Sequence, residues 1–127
     1  MYITKEELIK RAREAKIHSY SPYSTFCVGA ALLSADGNVY LGTNVENVSY
    51  GATCCAERSA FFSAISNGNK DFLAIALTAD KTPCYPCGIC RQVMAEFCNG
   101  DFKIYIDNGD TIIEKSLGEL LPDSFDF

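Results

Sequence analysis

The chain has 127 residues, of which 48% are hydrophobic and 21% are charged, as is typical of an ordinary globular protein. That length suffices for one compact core and leaves no room for a second, so we predict a single domain over residues 1–127. The formal net charge of −5 argues against nucleic acid as substrate or partner, because nucleic-acid-binding proteins owe much of their affinity to clustered Lys and Arg. A small free substrate is therefore expected.

Other features of the sequence predict the compartment. No stretch approaches the roughly 18 apolar residues that a membrane-spanning helix requires, so no membrane association is expected. Residues 1–7 carry polar and charged side chains where a signal peptide has an apolar run. The seven cysteines form an odd number, which does not suggest a complete set of disulfides. We therefore expect a protein of the reducing cytoplasm.

The first predicted elements are a helix and a β-hairpin. Thr4 is a typical N-cap residue, and the apolar residues that follow it at helical spacing predict a helix that runs to about Ile17. Two runs of strand length, residues 26–33 and 39–45, are separated by a turn at Asp36-Gly37. Two such runs joined by a short turn predict an antiparallel pair.

Three more strands complete the predicted sheet. Residues 72–78 are apolar throughout, which is typical of a central strand buried on both faces. Residues 102–106 and 111–114 alternate in polarity around a turn at residues 107–110, so strands four and five should form a second antiparallel hairpin. Because helices alternate with strands, we predict an α/β fold, a three-layer α/β/α sandwich around a mixed sheet of about five strands.

Two further helices are predicted to begin at cysteines. Apolar residues follow Cys55 and Cys87 at the spacing of a helix face, and an Asn-Gly pair ends each run, at residues 67–68 and 99–100. A helix N-terminus carries partial positive charge and free N–H groups, which favour a thiolate over a thiol. These cysteines are therefore well placed to bind a metal ion.

The thiols of Cys55, Cys87 and Cys90 form a candidate zinc site. Three thiolates can hold one Zn²⁺ per chain and leave the fourth tetrahedral position free, which distinguishes a catalytic zinc site from a closed structural one. Zinc lowers the pKa of water from about 15.7 to about 7, so a nucleophile becomes available at neutral pH. Glu57, two residues after Cys55, is the candidate group for moving the proton of that water.

Several motifs make the sequence similar to a known family. Cys55-Ala56-Glu57 followed by Pro86-Cys87-Gly88-Ile89-Cys90 resembles the signature of the zinc-dependent nucleobase deaminases. Further segments resemble the small cytidine deaminases, and together they extend over nearly the whole chain: Ser21-Pro22-Tyr23-Ser24, Phe26-Cys27-Val28-Gly29-Ala30-Ala31, Asn44-Val45-Glu46-Asn47, Cys90-Arg91-Gln92-Val93 and Glu119-Leu120-Leu121-Pro122. The resemblance implies a zinc hydrolase of pyrimidine salvage that converts cytidine and 2′-deoxycytidine to their uridine forms and releases ammonia. It also implies a cytidine deaminase-like fold and a homotetramer with shared active sites.

The resemblance also implies a role for each site residue. Glu57 would be the general acid and base of the reaction. The substrate contacts that it implies are Phe26 against the base, Ala56 and Pro86 on the base edge, Asn44 and Glu46 on the ribose hydroxyls, and Tyr50 and Phe125 from neighbouring subunits. Asn44 and Glu46 lie two residues apart on a strand and so share a face, and a carboxylate at that place disfavours a phosphate, hence a nucleotide.

Charge balance indicates two further residues. Three thiolates on a divalent ion leave a net charge of −1, so positive charge is expected nearby. Arg58, next to Glu57, and Arg91, next to Cys90, are predicted to donate hydrogen bonds to the sulfurs.

Alternatives remain for this cysteine cluster. Cys84 precedes Cys87 by three residues and could close a four-sulfur structural site, or the Cys-x-x-Cys motif could be a redox pair. The other spare cysteines, Cys27, Cys54 and Cys98, are interpreted, like Cys84, as small buried hydrophobic residues. A deaminase of a cytosine-containing antibiotic such as blasticidin S, or a zinc-stapled binding module without activity, would carry the same motif.

Overall fold

Helices cover both faces of a five-stranded sheet in the structure, a computed structural model that describes residues 3–126. Residues 1, 2 and 127 of the predicted domain lie outside the described residues. In chain order the elements are α1 (Lys5–Lys16), β1 (Val28–Ser34), β2 (Val39–Thr43), a 3-10 turn (Tyr50–Ala52), α2 (Ala56–Ser66), β3 (Phe72–Ala79), α3 (Gly88–Phe97), β4 (Lys103–Asp107), β5 (Ile112–Ser116) and α4 (Leu117–Leu120). Within residues 3–126, no helix combines the length and the apolar character needed to cross a bilayer.

The sheet is mixed, as predicted. Its strand order is β2-β1-β3-β4-β5, so β3 is central. β1 pairs antiparallel with β2 and β3, β3 pairs parallel with β4, and β4 pairs antiparallel with β5. Gly109 has φ +81° in the turn of the second hairpin, a conformation that glycine adopts without steric cost. Both predicted hairpins and the α/β fold are confirmed.

The three layers follow from the alternation of side chains along β1. Ala30 and Leu32 pack on one face with residues of α2 and α3, whereas Ala31 and Leu33 pack on the other face with residues of α1. Successive side chains of a strand point to opposite faces, so one apolar strand serves two hydrophobic clusters. The second layer of helices, α2 and α3, carries the candidate site.

Two glycines let helices approach the sheet closely. A Cβ atom on Gly42 of β2 would lie 2.2 Å from the carbonyl oxygen of Ala56, at the start of α2. A Cβ atom on Gly29 of β1 would lie 2.1 Å from the carbonyl oxygen of Ala12 on α1. The start of α2 therefore rests directly on the backbone of β2.

The structure adjusts some predicted boundaries. β1 begins at Val28 rather than at Phe26, because the side chain of Asn44 binds the carbonyl of Phe26 and the N–H of Val28. α4 was not predicted, because a helix of four residues is too short for its apolar residues to show a helical period. It is stabilised by a capping box between Ser116 and Glu119.

Candidate active site

Two helix N-termini meet at the predicted metal site. Cys55 is the N-cap residue of α2 and Cys87 is the N-cap residue of α3, while Cys90 lies one turn into α3. The two helices pack on the same face of the sheet, in one hydrophobic cluster. Cysteines that are 32 positions apart in the sequence are thereby brought together at positive helix ends.

The spacing of the three sulfurs fits zinc. The Sγ atoms of Cys55 and Cys87 are 3.8 Å apart, and those of Cys87 and Cys90 are 3.5 Å apart. Four ligands at about 2.3 Å around a tetrahedral zinc ion place sulfurs about 3.8 Å from one another. Within residues 3–126 the cluster of potential ligands comprises these three thiols and does not include Cys84. The donor set therefore fits zinc with an open fourth position, and the four-sulfur alternative is not supported.

Arg58 supplies positive charge to this cluster. Its Nη2 donates to Sγ of Cys55 at 3.4 Å, as predicted, and its buried Nε has no hydrogen-bond partner within residues 3–126. The pKa of Cys55 lies below its ordinary value, first because the Cys90 thiol donates to it and then because Arg58 does, against the effect of burial. The contact with Cys55 in turn raises the pKa of Cys90. The site thus favours a thiolate at Cys55.

Arg91 was predicted to donate hydrogen bonds to the sulfurs, and this prediction is wrong. Nε of Arg91 donates to the carbonyl oxygen of Pro86 at 2.7 Å, and Nη1 donates to the carbonyl oxygen of Leu120 at 2.7 Å. Successive residues of a helix point about 100° apart, so a side chain next to the buried ligand Cys90 leaves the helix in another direction.

Glu57 lies in the first turn of α2 and is only 6% exposed. Burial raises the pKa of its carboxyl group to about 7. Glu57 and two of the three cysteines line a cavity of about 200 Å³, hereafter the thiol cavity. The residues that line it are Val28, Asn44, Thr53, Cys55, Ala56, Glu57, Cys84, Tyr85 and Cys87. Drug-sized ligands occupy cavities of about 300–1,000 Å³, so the thiol cavity has room for a smaller group such as one heterocyclic ring.

Asn44 and Glu46 line different cavities. Asn44 is 8% exposed in the wall of the thiol cavity. Glu46 lines a neighbouring cavity of about 250 Å³, together with Tyr23 and Tyr50, and Thr53 lines both cavities. The carboxylate of Glu46 accepts hydrogen bonds from the backbone N–H of Tyr23 at 2.9 Å and from the N–H and hydroxyl of Ser24. It therefore orders the loop that separates α1 from β1.

The other predicted substrate contacts differ in how deeply they are buried. Ala56 is buried as the first residue of α2, and Pro86 is buried two residues before α3 begins. Phe26 is half-buried. Tyr50 is 78% exposed and Phe125 is 71% exposed, and neither lines the thiol cavity of its own chain, as far as residues 3–126 define it.

Four lining residues were not assigned to a substrate cavity from the sequence, namely Val28, Thr53, Tyr85 and Cys84, the last of which was considered only as a fourth ligand or a small buried residue. Two of them had a signal, since Cys84 and Tyr85 directly precede the motif that begins at Pro86. Val28 lies two residues after Phe26 and could have been placed from strand alternation. Nothing in the local sequence distinguishes Thr53.

A known protein family matches most of this chain. The family model described as "Cytidine and deoxycytidylate deaminase zinc-binding region" matches residues 3–106. The cytidine deaminase of Halalkalibacterium halodurans is 55% identical over 124 residues, which cover 95% of this chain and 93% of that protein. That of Sporosarcina psychrophila is 51% identical over 123 residues, which cover 94% and 90% of the two chains.

Solved structures agree with these sequences. The crystal structure of a cytidine deaminase from Burkholderia pseudomallei superposes with a TM-score of 0.93 at 45% identity, covering 97% of this chain and 100% of that one. The cytidine deaminase from Mycobacterium tuberculosis gives a TM-score of 0.88 at 40% identity, covering 98% of this chain and 99% of that one. With its three zinc-compatible thiols and its mixed five-stranded sheet, the chain belongs to the cytidine and deoxycytidylate deaminase family.

Proposed function

We propose that this protein is a zinc-dependent deaminase that hydrolyses cytidine and 2′-deoxycytidine to uridine and 2′-deoxyuridine and releases ammonia. The observation that carries the proposal is the meeting of Cys55, Cys87 and buried Glu57 in one cavity, with Cys90 completing the ligand set. Relatives named cytidine deaminase that are 51% and 55% identical to this chain support the same reaction.

Cys55, Cys87 and Cys90 would hold one zinc ion per chain, with Arg58 offsetting the charge of the thiolates. Bound zinc supplies Lewis acidity, which makes water available as a nucleophile near neutral pH. Glu57 is only 6% exposed, so its charge acts at a lower effective dielectric constant than it would in solvent.

Glu57 is assigned the proton transfers. Its carboxylate accepts a proton from the attacking water and delivers that proton to N3 of the cytosine ring. It then accepts the second proton of the added water, which is now a hydroxyl group at C4, and passes it to the amino group. The C4–N bond breaks, ammonia leaves and C4 becomes a carbonyl, so one carboxyl group serves as both base and acid. Its position in the cavity wall, two residues from Cys55, supports this role.

Other residues are assigned to the substrate. The backbone N–H of Ala56 and the carbonyl of Pro86 hold the edge of the base, and Phe26 packs against its face, a stack typically worth about 1–3 kcal/mol. Asn44 and Glu46 bind the ribose hydroxyls from their adjoining cavities. Because Glu46 is anionic, it disfavours a 5′-phosphate and supports a nucleoside as substrate.

We further propose a homotetramer in which Tyr50 and Phe125 complete the active sites of neighbouring subunits. Large aromatic side chains that are 78% and 71% exposed support an interface between chains. Two measurements test this: the molar mass in solution, and the activity of Phe125→Ala, which should fall if the site is shared.

The compartment of the protein and the form of its substrate are proposed from the net charge and the free thiols. A net charge of −5 supports a free nucleoside rather than a nucleic acid, and seven free thiols support the reducing cytoplasm as the compartment. Fractionation of cells followed by immunodetection tests the compartment.

The experiment that tests the function is an ultraviolet assay of cytidine loss, with the zinc content of each chain measured in parallel. Glu57→Gln should retain zinc and lose about 10²–10⁴-fold in kcat, the usual contribution of general acid and base catalysis. Glu6→Gln makes the same chemical change on the exposed surface of α1 and serves as the control. A zinc-stapled binding module would be indifferent to Glu57→Gln, and faster turnover of blasticidin S than of cytidine would favour the antibiotic deaminase.

A further inference from the structure

Arg91 joins two parts of the chain that are distant in sequence. Its Nε donates to the carbonyl of Pro86 and its Nη1 donates to the carbonyl of Leu120, each at 2.7 Å. Hydrogen bonds donated by a charged group are shorter and stronger than neutral ones. One guanidinium therefore connects the residue before the N-cap of α3 with the last residue of α4.

The Pro86 carbonyl needs such a partner to keep its direction. Pro86 is fully buried, and its ring restricts φ but leaves the orientation of the carbonyl to ψ. A carbonyl oxygen has two lone pairs, and Arg91 occupies one of them. Under the proposed function, the second lone pair accepts a hydrogen bond from the amino group of the base.

The Leu120 carbonyl links this arrangement to the carboxyl-terminal segment. Carbonyl groups in the last turn of a helix have no partner within the helix and favour a cation. The next residue of α3, Gln92, donates from Nε2 to the carbonyl of Phe125 at 3.3 Å. Two successive side chains of the metal-binding helix thus hold α4 and the segment after it.

We propose that Arg91 is a positioning residue that aims the Pro86 carbonyl at the amino group of the substrate and makes that aim depend on the docking of α4. The inference rests on the proposed function and adds to it a residue that acts on the leaving group through a carbonyl rather than on the metal. The amino group gains positive charge as it departs, so its hydrogen bond to Pro86 strengthens in the transition state. A change in the orientation of the Pro86 carbonyl should therefore lower kcat more than it raises KM.

The test is Arg91→Ala, measured with cytidine as substrate and with uridine as competitive inhibitor. A misplacement of about 1 Å can cost about 100-fold in rate, so we expect kcat to fall by about 10- to 100-fold. Zinc content should stay at one per chain, because Arg91 makes its hydrogen bonds to carbonyls. Uridine has no amino group, so its inhibition constant should change by no more than about twofold.

Arg13→Ala is the matched control. Arg13 is also a bridging arginine, with Nε and Nη2 each 2.8 Å from the carboxylate of Asp107, but it lies on α1, on the opposite face of the sheet. It should lose stability and keep the kcat of the wild-type chain at a temperature where both are folded. Arg91→Lys, which retains the charge and can reach one carbonyl, provides a second variant and should lose less activity than Arg91→Ala.

Each outcome decides the matter. An unchanged kcat in both Arg91 variants overturns the inference, and so does a loss of zinc or of uridine binding in proportion to the loss of turnover. If the wild-type chain converts cytidine and both Arg91 variants have the same kcat as the wild type, this inference fails and the proposed function stands. Absence of turnover in the zinc-loaded wild-type chain overturns the proposed function and this inference with it.

Discussion

Gly42→Ala tests whether the contact between β2 and α2 sets the geometry of the metal site. The added Cβ atom would lie 2.2 Å from the carbonyl oxygen of Ala56 and 2.5 Å from the backbone nitrogen of Ala60. Real Cβ atoms are essentially never found closer than 3.0 Å to such atoms, so α2 must retreat by roughly 1 Å. Ala56 lies between Cys55 and Glu57, and both would move with it.

The expected cost has two parts. Overpacking of this kind destabilises a fold by about 1–3 kcal/mol. Metal ligands must lie within about 0.2 Å of their preferred distances, so a shift of Cys55 relative to Cys87 and Cys90 weakens the site beyond the loss of stability. We expect zinc affinity to fall by about 10- to 100-fold, as it does when the support of a metal ligand is removed.

Gly29→Ala is the matched control for this prediction. Its Cβ atom would lie 2.1 Å from the carbonyl oxygen of Ala12, so the steric conflict is similar, but it displaces α1 on the other face of the sheet. Urea unfolding measures the stability of both variants, and competition with a chelator of known affinity measures zinc binding. Equal losses of zinc affinity in the two variants would refute the reasoning, as would a destabilised Gly42→Ala that binds zinc as tightly as the wild type.

Two further predictions concern charged hydrogen bonds. Arg58→Ala removes the donor to Cys55 and should weaken zinc binding by about 10- to 100-fold, and the same chelator competition would show an unchanged affinity if the contact is incidental. Asp107→Asn should cost about 2 kcal/mol at pH 7, because the buried carboxylate accepts from Arg13 and Thr78. The Arg13 contact holds the pKa of Asp107 below its ordinary value, so this stability is complete above the unfolded-state pKa of about 3.9 and is lost as pH falls through the folded-state pKa. Urea unfolding from pH 7 to pH 3 should show the difference between wild type and variant shrinking, and a constant difference would contradict the assignment.

Local signals were sufficient for most of the fold. Helix periodicity after Cys55 and Cys87, with an Asn-Gly pair after each run, predicted α2 and α3 to within one residue at each start. The uninterrupted apolar run of β3 predicted its central position, because a strand with helices on both faces is buried on both. Such features depend on residues that are neighbours in the chain, and their physical effects can be worked out one segment at a time.

The motif around Glu57 likewise indicated zinc and a proton-transfer group before any distance was known. What the sequence determined by itself was therefore the chemistry: three thiols of suitable spacing, one carboxyl group beside them, and a surface charge that disfavours nucleic acid.

Only the tertiary structure decided how these groups are held. Arg91 was expected on the sulfurs and lies instead on the carbonyls of Pro86 and Leu120, because adjacency in a helix does not set the direction of a side chain. Asn44 and Glu46 share a strand end but line separate cavities, and Gly42 supports α2 through a contact with Ala56, fourteen positions later in the chain. These arrangements depend on atoms that come close only when the layers pack, and no local pattern encodes that approach.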